Sequence, residues 1–145
     1  MRATNRGRRR ALVVLSTCAL GMGLPALAQD PRVSDAQRAA REWLMLSDAA
    51  DVQGTWRTSG AKFQAAMSPP QWGDAMSKVR TPLGELVQRT LVSTQTASQF
   101  EGQPEGDYAL LVYRTAFARK SITSETLTLE READGRWRVI GYSIR

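Results

Sequence analysis

The hydrophobic pattern of this chain changes period once, near Thr81–Gly84, and this change limits the folds that the chain can adopt. Before that point, apolar residues recur every three to four positions, which is the spacing of one helix face. After it, apolar and polar residues alternate, as they do in strands buried on one face. Helices followed by strands, rather than interleaved with them, predict an α+β fold with an antiparallel sheet.

Two helix starts are indicated by capping boxes, in which a serine and a glutamine three residues later satisfy free N–H groups. The first box, Ser34–Gln37, predicts a helix over about residues 35–50. A looser helical spacing as far as Met67 predicts one or two short helices. The second box, Ser68–Gln71, starts another helix with proline at its first position, where the missing N–H costs nothing. The "TPLG" stretch at Thr81–Gly84 ends that helix.

The second half of the chain predicts a four-stranded antiparallel meander with the helices packed on one face. Gly141 marks a bulge in the last strand, because the apolar residues change parity there. The arginines of that strand are typical of an edge strand. The four strands follow one another along the chain as Leu86–Gln99, Tyr108–Phe117, Ile122–Glu130 and a strand after the hairpin signal Asp134-Gly135.

The first 28 residues have the three parts of a secretory signal peptide: five arginines among the first ten residues, an apolar middle and an A-x-A end at Ala26–Ala28. The apolar run is shorter than the roughly 20 residues that a membrane anchor needs. We therefore expect cleavage after Ala28 and a periplasmic or secreted domain over residues 29–145. A lipoprotein anchored at Cys18, an uncleaved anchor and a basic nucleic-acid-binding arm are the alternatives.

Removal of this leader changes the charge of the protein. The leader holds five of the 20 Lys and Arg residues and none of the 14 acidic residues, so the remainder carries a net charge of about +1. A nearly neutral domain gives no reason to expect nucleic acid or an anionic membrane as a partner. The chain has no histidine, and its one cysteine is Cys18 in the leader. Residues 29–145 therefore exclude His-ligated zinc, a Cys nucleophile and a Ser-His-Asp triad, and we expect neither metal nor cofactor.

Four stretches of the chain resemble one bacterial family, called domain of unknown function 4019. They are "REWLMLSDAADVQGTW", "PPQWGDAMSKVRTPLGELVQR", "ITSETLTLE" and "DGRWRVIGYSIR". The resemblance implies a nuclear-transport-factor-two-like, cystatin-related fold, in which a strongly curved sheet wraps the helices into a cone with a pocket. Such folds include isomerases, cyclases and dehydratases, and many members that only bind a ligand or a partner protein. The family brings no assigned reaction, and its fold alone does not define one.

Glu125 is the acidic residue with the most informative position. Alternate residues of a strand share a face, so Glu125 is expected to lie with Leu127 and Leu129 on the core face of "ITSETLTLE". A carboxylate at that position needs a partner or a shifted pKa. It is either a structural ion pair with an arginine such as Arg89 or Arg80, or a ligand-binding or acid/base group.

Five further residues are candidates for a ligand site. Arg80 and Arg89 flank the helix-to-strand connection, where they are either a clamp for an anionic ligand or, respectively, a helix C-terminal charge and a solvated strand residue. Trp56 and Trp72 are pocket residues or, more in keeping with their helical positions, core residues. Tyr142, in the last strand, is a further candidate for the pocket.

These observations predict an exported, non-catalytic domain that binds a small apolar ligand or a cell-envelope protein. The alternative is a cofactor-free isomerase- or hydrolase-like enzyme that uses Glu125 or a tyrosine as its acid/base group; the absence of histidine weighs against it. The strand Tyr108–Phe117 has apolar residues on both faces, and helices cover only one. A homodimer through the outer face of the sheet is therefore a further hypothesis.

Overall fold

The computed structural model describes residues 30–145, so the predicted signal peptide and Cys18 lie outside the described residues. The helices come first and the strands follow, which confirms the α+β layout. In chain order the helices are α1 Pro31–Asp48, α2 Val52–Thr58, α3 Ala61–Ala66, α4 Pro69–Val79 and a 3₁₀ turn at Thr81–Leu83. The strands are β1 Leu86–Ala97, β2 Asp107–Phe117, β3 Lys120–Arg131 and β4 Trp137–Ile144.

The first helix begins four residues before the point that the sequence pattern predicted. Its N-cap is Asp30, whose side chain accepts a hydrogen bond from the Arg32 N–H, and Pro31 occupies the first turn. The capping box predicted at Ser34–Gln37 is therefore wrong, and Gln37 instead donates a hydrogen bond to Thr94 of β1. The box at Ser68–Gln71 is confirmed, with both reciprocal hydrogen bonds present.

The sheet is a curved, unclosed antiparallel meander in the order β1-β2-β3-β4, so β1 and β4 are its edges. Leu127 lies opposite both Leu111 and Tyr142, which places all three on the face that packs against the helices. We call this the inner face. The bulge predicted at Gly141 is confirmed, because Thr128 pairs with Gly141 whereas Leu129 pairs with Val139.

The core lies between the inner face and the helices. Trp43 and Leu44 of α1 and Trp72 and Met76 of α4 meet the inner-face leucines and valine of the three strands β2–β4. Of the helices in residues 30–145, none has the length and apolar character needed to cross a membrane. Buried aromatic and branched side chains fill the space between the helices and the sheet. The main core residues are Trp43, Leu44, Phe63, Trp72, Met76, Leu111, Leu127, Leu129, Trp137 and Val139.

Candidate functional site

Glu125 lies on the inner face of β3, fully buried, with Leu127 and Leu129 on the same face, as predicted. Its Oε2 accepts hydrogen bonds from Arg89 Nε at 2.6 Å and from Thr115 Oγ1 at 2.5 Å. Its Oε1 accepts from Tyr142 Oη at 2.6 Å and from Arg89 Nη2 at 3.2 Å. The carboxylate is thus held by four charge-assisted hydrogen bonds, two of them from the Arg89 guanidinium, and the predicted ion pair with Arg89 is confirmed.

Arg89 joins Glu125 to a second carboxylate at the end of α1. Its Nη1 and Nη2 donate to the two oxygens of Asp48 at 2.7 and 2.9 Å. Burial lowers the pKa of the Arg89 guanidinium, but its hydrogen bonds to Asp48 and Glu125 outweigh that effect and raise the pKa overall. With 11% of its side chain exposed, Arg89 is a buried ion-pair residue, and the alternative of a solvated strand arginine is wrong.

Arg80 completes a group of four charged residues that also contains Asp48, Arg89 and Glu125, and which we call the charged cluster. Its Nη2 lies 3.3 Å from Asp48 Oδ1, its Nη1 donates to the carbonyl of Gly84, and its guanidinium stacks on Phe117. Two arginines therefore balance two carboxylates. A cleft of about 330 Å³ lies beside Arg80 at the C-terminal ends of α1 and α4, and Asp48 also lines it. The carboxylate and the helix C-termini leave little net attraction for an anion there.

Tyr142 closes the charged cluster on the side of β4. Burial, together with the nearby Glu125 carboxylate, raises the pKa of the Tyr142 hydroxyl well above its ordinary value of 10. The hydroxyl therefore stays protonated and donates to Glu125. An acid/base carboxylate must reach a substrate proton, but every oxygen of Glu125 is already occupied by two donors. The arrangement is suited to fixing β1, β2, β3, β4 and the end of α1 relative to one another.

The ring of Tyr142 contributes to a small apolar pocket between α4 and β4. The pocket has a volume of about 150 Å³. Trp72 packs edge-on to Tyr142, with ring centroids 6.4 Å apart. We call it the aromatic pocket; it is lined by Met67, Trp72, Ala75, Met76, Val79, Tyr142 and Ser143.

The structure brings five of the six predicted site residues into one connected region. Glu125, Arg89 and Arg80 belong to the charged cluster, Tyr142 links that cluster to the aromatic pocket, and Trp72 forms a pocket wall. Trp56 lines neither the charged cluster nor the aromatic pocket: it is half-buried, and its indole N–H donates to the carbonyl of Met67, behind the pocket wall, at 2.7 Å.

Sequence reasoning missed Asp48 and Thr115. Asp48 carries no local signal, because its role depends on how α1 packs across the sheet. Thr115 shares the inner-face parity of Leu111 and Tyr113 in β2, and this alternation was the one signal that pointed to it. Within residues 30–145, no three acidic, histidine or cysteine side chains are grouped closely enough to hold a metal ion.

A search of protein-family profiles matches residues 39–142 to the family described as protein of unknown function (DUF4019). The match includes the whole charged cluster and every residue of the aromatic pocket except Ser143. The chain belongs to the DUF4019 family. This membership confirms the resemblance seen in the sequence, and the description of DUF4019 assigns no reaction or ligand.

Among solved structures, this DUF4019 chain is similar to one described as the 1.8 Å structure of Aln2 from a Streptomyces species. The TM-score is 0.50 at 12% sequence identity, and the alignment covers 81% of this chain and 92% of Aln2. At that identity the likeness concerns the fold alone, and it agrees with the nuclear-transport-factor-two-like fold expected for the family. A search of curated proteins gave no match.

Proposed function

We propose that this protein is an exported, non-catalytic binding domain that holds a small apolar ligand in the aromatic pocket. The observation that carries the proposal is the make-up of that pocket: Trp72 and Tyr142 face it together with methionine, alanine and valine side chains. Pockets with mostly apolar walls and few polar groups are typical of ligand sites. A volume near 150 Å³ suits a ligand about the size of one aromatic ring.

The bonding of Glu125 supports a binding role over the enzyme alternative. An acid/base carboxylate would need an open approach to substrate, whereas Glu125 is fully buried and accepts four hydrogen bonds. Tyr142 presents its ring to the pocket while its hydroxyl is held by Glu125. The pocket therefore has a rigid aromatic wall, which lowers the entropic cost of binding.

Toluene is expected to bind in the aromatic pocket and to shift the methyl NMR signals of Met76 and Val79, which line it. Ala75→Phe should abolish these shifts, because the added ring fills the pocket from α4. Ala65→Phe is the matched control: it adds the same ring at an exposed position of α3, and it should leave toluene binding unchanged. Equal shifts in the wild-type protein and in Ala75→Phe, or none in the wild type, would rule out this site.

The export part of the proposal rests on the signal-peptide pattern of residues 1–28. We expect protein isolated from its host to begin at Gln29, which intact-mass measurement reads directly. A mature chain that begins at a lipid-modified Cys18 would show a lipoprotein instead, and a chain retaining its first 28 residues would exclude cleavage altogether. Native mass spectrometry of the same preparation would then show whether a small ligand accompanies the domain.

A protein partner is the second candidate, because large apolar side chains are exposed on the sheet. Val87, Leu91 and Val92 of β1 are 68%, 37% and 57% exposed. On the outer face, Leu110 and Val112 of β2 are half-buried. The homodimer through the outer face stays a hypothesis of this kind.

A further inference from the structure

The two edge strands of the sheet differ in how far the rest of the fold covers them. At the β4 edge, the backbone N–H of Gly60 donates to the carbonyl of Val139 at 2.8 Å, so the connection between α2 and α3 covers that strand. Arg138 adds a charge to the same edge and pairs with Glu132 and Asp134. Within residues 30–145, β1 forms strand pairs on one side alone, with β2. Its other side leaves a row of main-chain donors and acceptors without a strand neighbour.

The composition of β1 lacks the features that usually protect such an edge. Natural edge strands carry lysine, other charges or proline that discourage pairing with another chain. From Thr90 to Phe100 the sequence contains no charged residue and no proline. Two bulges, at Val87 and Val92, interrupt the regular pairing with β2, and both valines are exposed; from Ser93 to Ala97 the pairing is unbroken, so a partner strand meets a regular row of main-chain groups there. We call Thr90–Ala97 the open edge.

Apolar surface accompanies the open edge on its helical side. Met45 of α1 is 70% exposed. It lies one helical turn before Asp48, which bonds to Arg89 of β1, and Gln37 of the same helix bonds to Thr94. Leu91, near the start of the open edge, is 37% exposed and lies opposite Tyr113 on the inner face, so exposed apolar side chains occur on both α1 and β1. A strand laid beside β1 would cover part of this apolar surface and pair with the main-chain groups of the open edge.

We propose that the open edge binds a second copy of this chain, with the two β1 strands antiparallel about a twofold axis and the two sheets joined into one of eight strands. Two copies of one strand have the same length and carry the same uncharged side chains, so an antiparallel pair of them leaves no overhang. Pairing within Thr90–Ala97 brings no like charges together, because the segment contains none.

The closed β4 edge explains why assembly stops at two copies. A chain with two free edges can add further copies without limit. With one free edge, the isologous contact occupies that edge in both copies, and no free edge is left for a third copy. The covered Val139 carbonyl and the charged Arg138 leave β1 as the edge that can pair. The dimer is independent of the aromatic pocket, so ligand binding can fail without affecting it.

Sedimentation equilibrium of the wild-type chain and two lysine variants tests the proposal. The wild type is expected to be a dimer, and Val92→Lys should raise the dimer dissociation constant at least tenfold by placing a charge on each open edge. Ile122→Lys is the matched control: Ile122 is 75% exposed on β3, two strands from the edge, and its replacement should leave the dissociation constant unchanged. Circular dichroism and thermal unfolding check that both variants fold as the wild type does.

A cross-linking experiment locates the contact independently. Because Cys18 is the one cysteine of the sequence, Cys18→Ser allows single cysteines to be introduced elsewhere. Gln95→Cys, at an exposed position of β1, should give cross-linked dimers with a short bismaleimide, and Ile122→Cys should not. A wild type that is monomeric at several hundred micromolar overturns the proposal. So does a dimer that Ile122→Lys weakens and Val92→Lys does not, which would place the contact on the outer face.

Discussion

Arg89→Met is expected to lower the free energy of unfolding by about 3–5 kcal/mol, the cost of leaving a buried charge without its partner. The substitution keeps much of the side-chain volume but leaves Glu125, which is fully buried, with two hydroxyl donors and no cation. Asp48 would retain Arg80 at the longer distance of 3.3 Å. Urea unfolding followed by tryptophan fluorescence measures the loss.

Two further variants separate this effect from a general cost of losing an arginine. Arg114→Met, at an exposed position of the neighbouring strand β2, should change stability by no more than about 0.5 kcal/mol. Glu125→Gln should cost less than Arg89→Met, because Arg89 keeps the bidentate Asp48 carboxylate. If both Arg89→Met and Glu125→Gln left stability unchanged, the charged cluster would not be structural, and a ligand-binding or acid/base role for Glu125 would gain support.

The order of the elements could be predicted because it depends on local patterns. The change of hydrophobic period separates helices from strands, and the box at Ser68–Gln71 satisfies the helix N-terminus through neighbours in the chain. The predicted start of α1 is wrong because two capping signals compete. Asp30 followed by Pro31 combines a good cap with a residue suited to the first turn, and it prevails over Ser34.

The partners of Glu125 show where sequence reasoning ends. Its face and its pairing with an arginine follow from strand alternation and the cost of a buried charge. The hydrogen bonds between Asp48 and Arg89 depend on a contact between α1 and β1, and they join residues 41 positions apart in the chain. The strand register is also non-local: an extra residue in β3 shifts the pairing between Thr115 and Phe117, and so places Glu125 opposite Tyr113. A regular hairpin would have placed Glu125 opposite Val112, on the outer face.

Trp72→Ala is expected to lower the free energy of unfolding by about 3–5 kcal/mol, because it removes the centre of the aromatic core. Trp72 is 5% exposed and meets Phe63 edge-on, with ring centroids 4.9 Å apart. Its indole N–H donates to Thr55 Oγ1 at 2.9 Å, so the variant also leaves a buried hydroxyl without its donor.

Trp56→Ala is the control for Trp72→Ala, because it removes a tryptophan that lies at the edge of the core. Trp56 is half-buried and bonds to a backbone carbonyl at the edge of the core, so its loss should cost clearly less than that of Trp72. Trp72→Phe retains a ring beside Phe63 and should recover most of the stability. Equal losses for Trp72→Ala and Trp56→Ala would contradict a core role for Trp72. A larger loss for Trp72 means that the wall of the aromatic pocket is also part of the core, so the pocket exists in the folded chain alone, and a ligand bound there raises the free energy of unfolding by RT ln(1 + [L]/Kd).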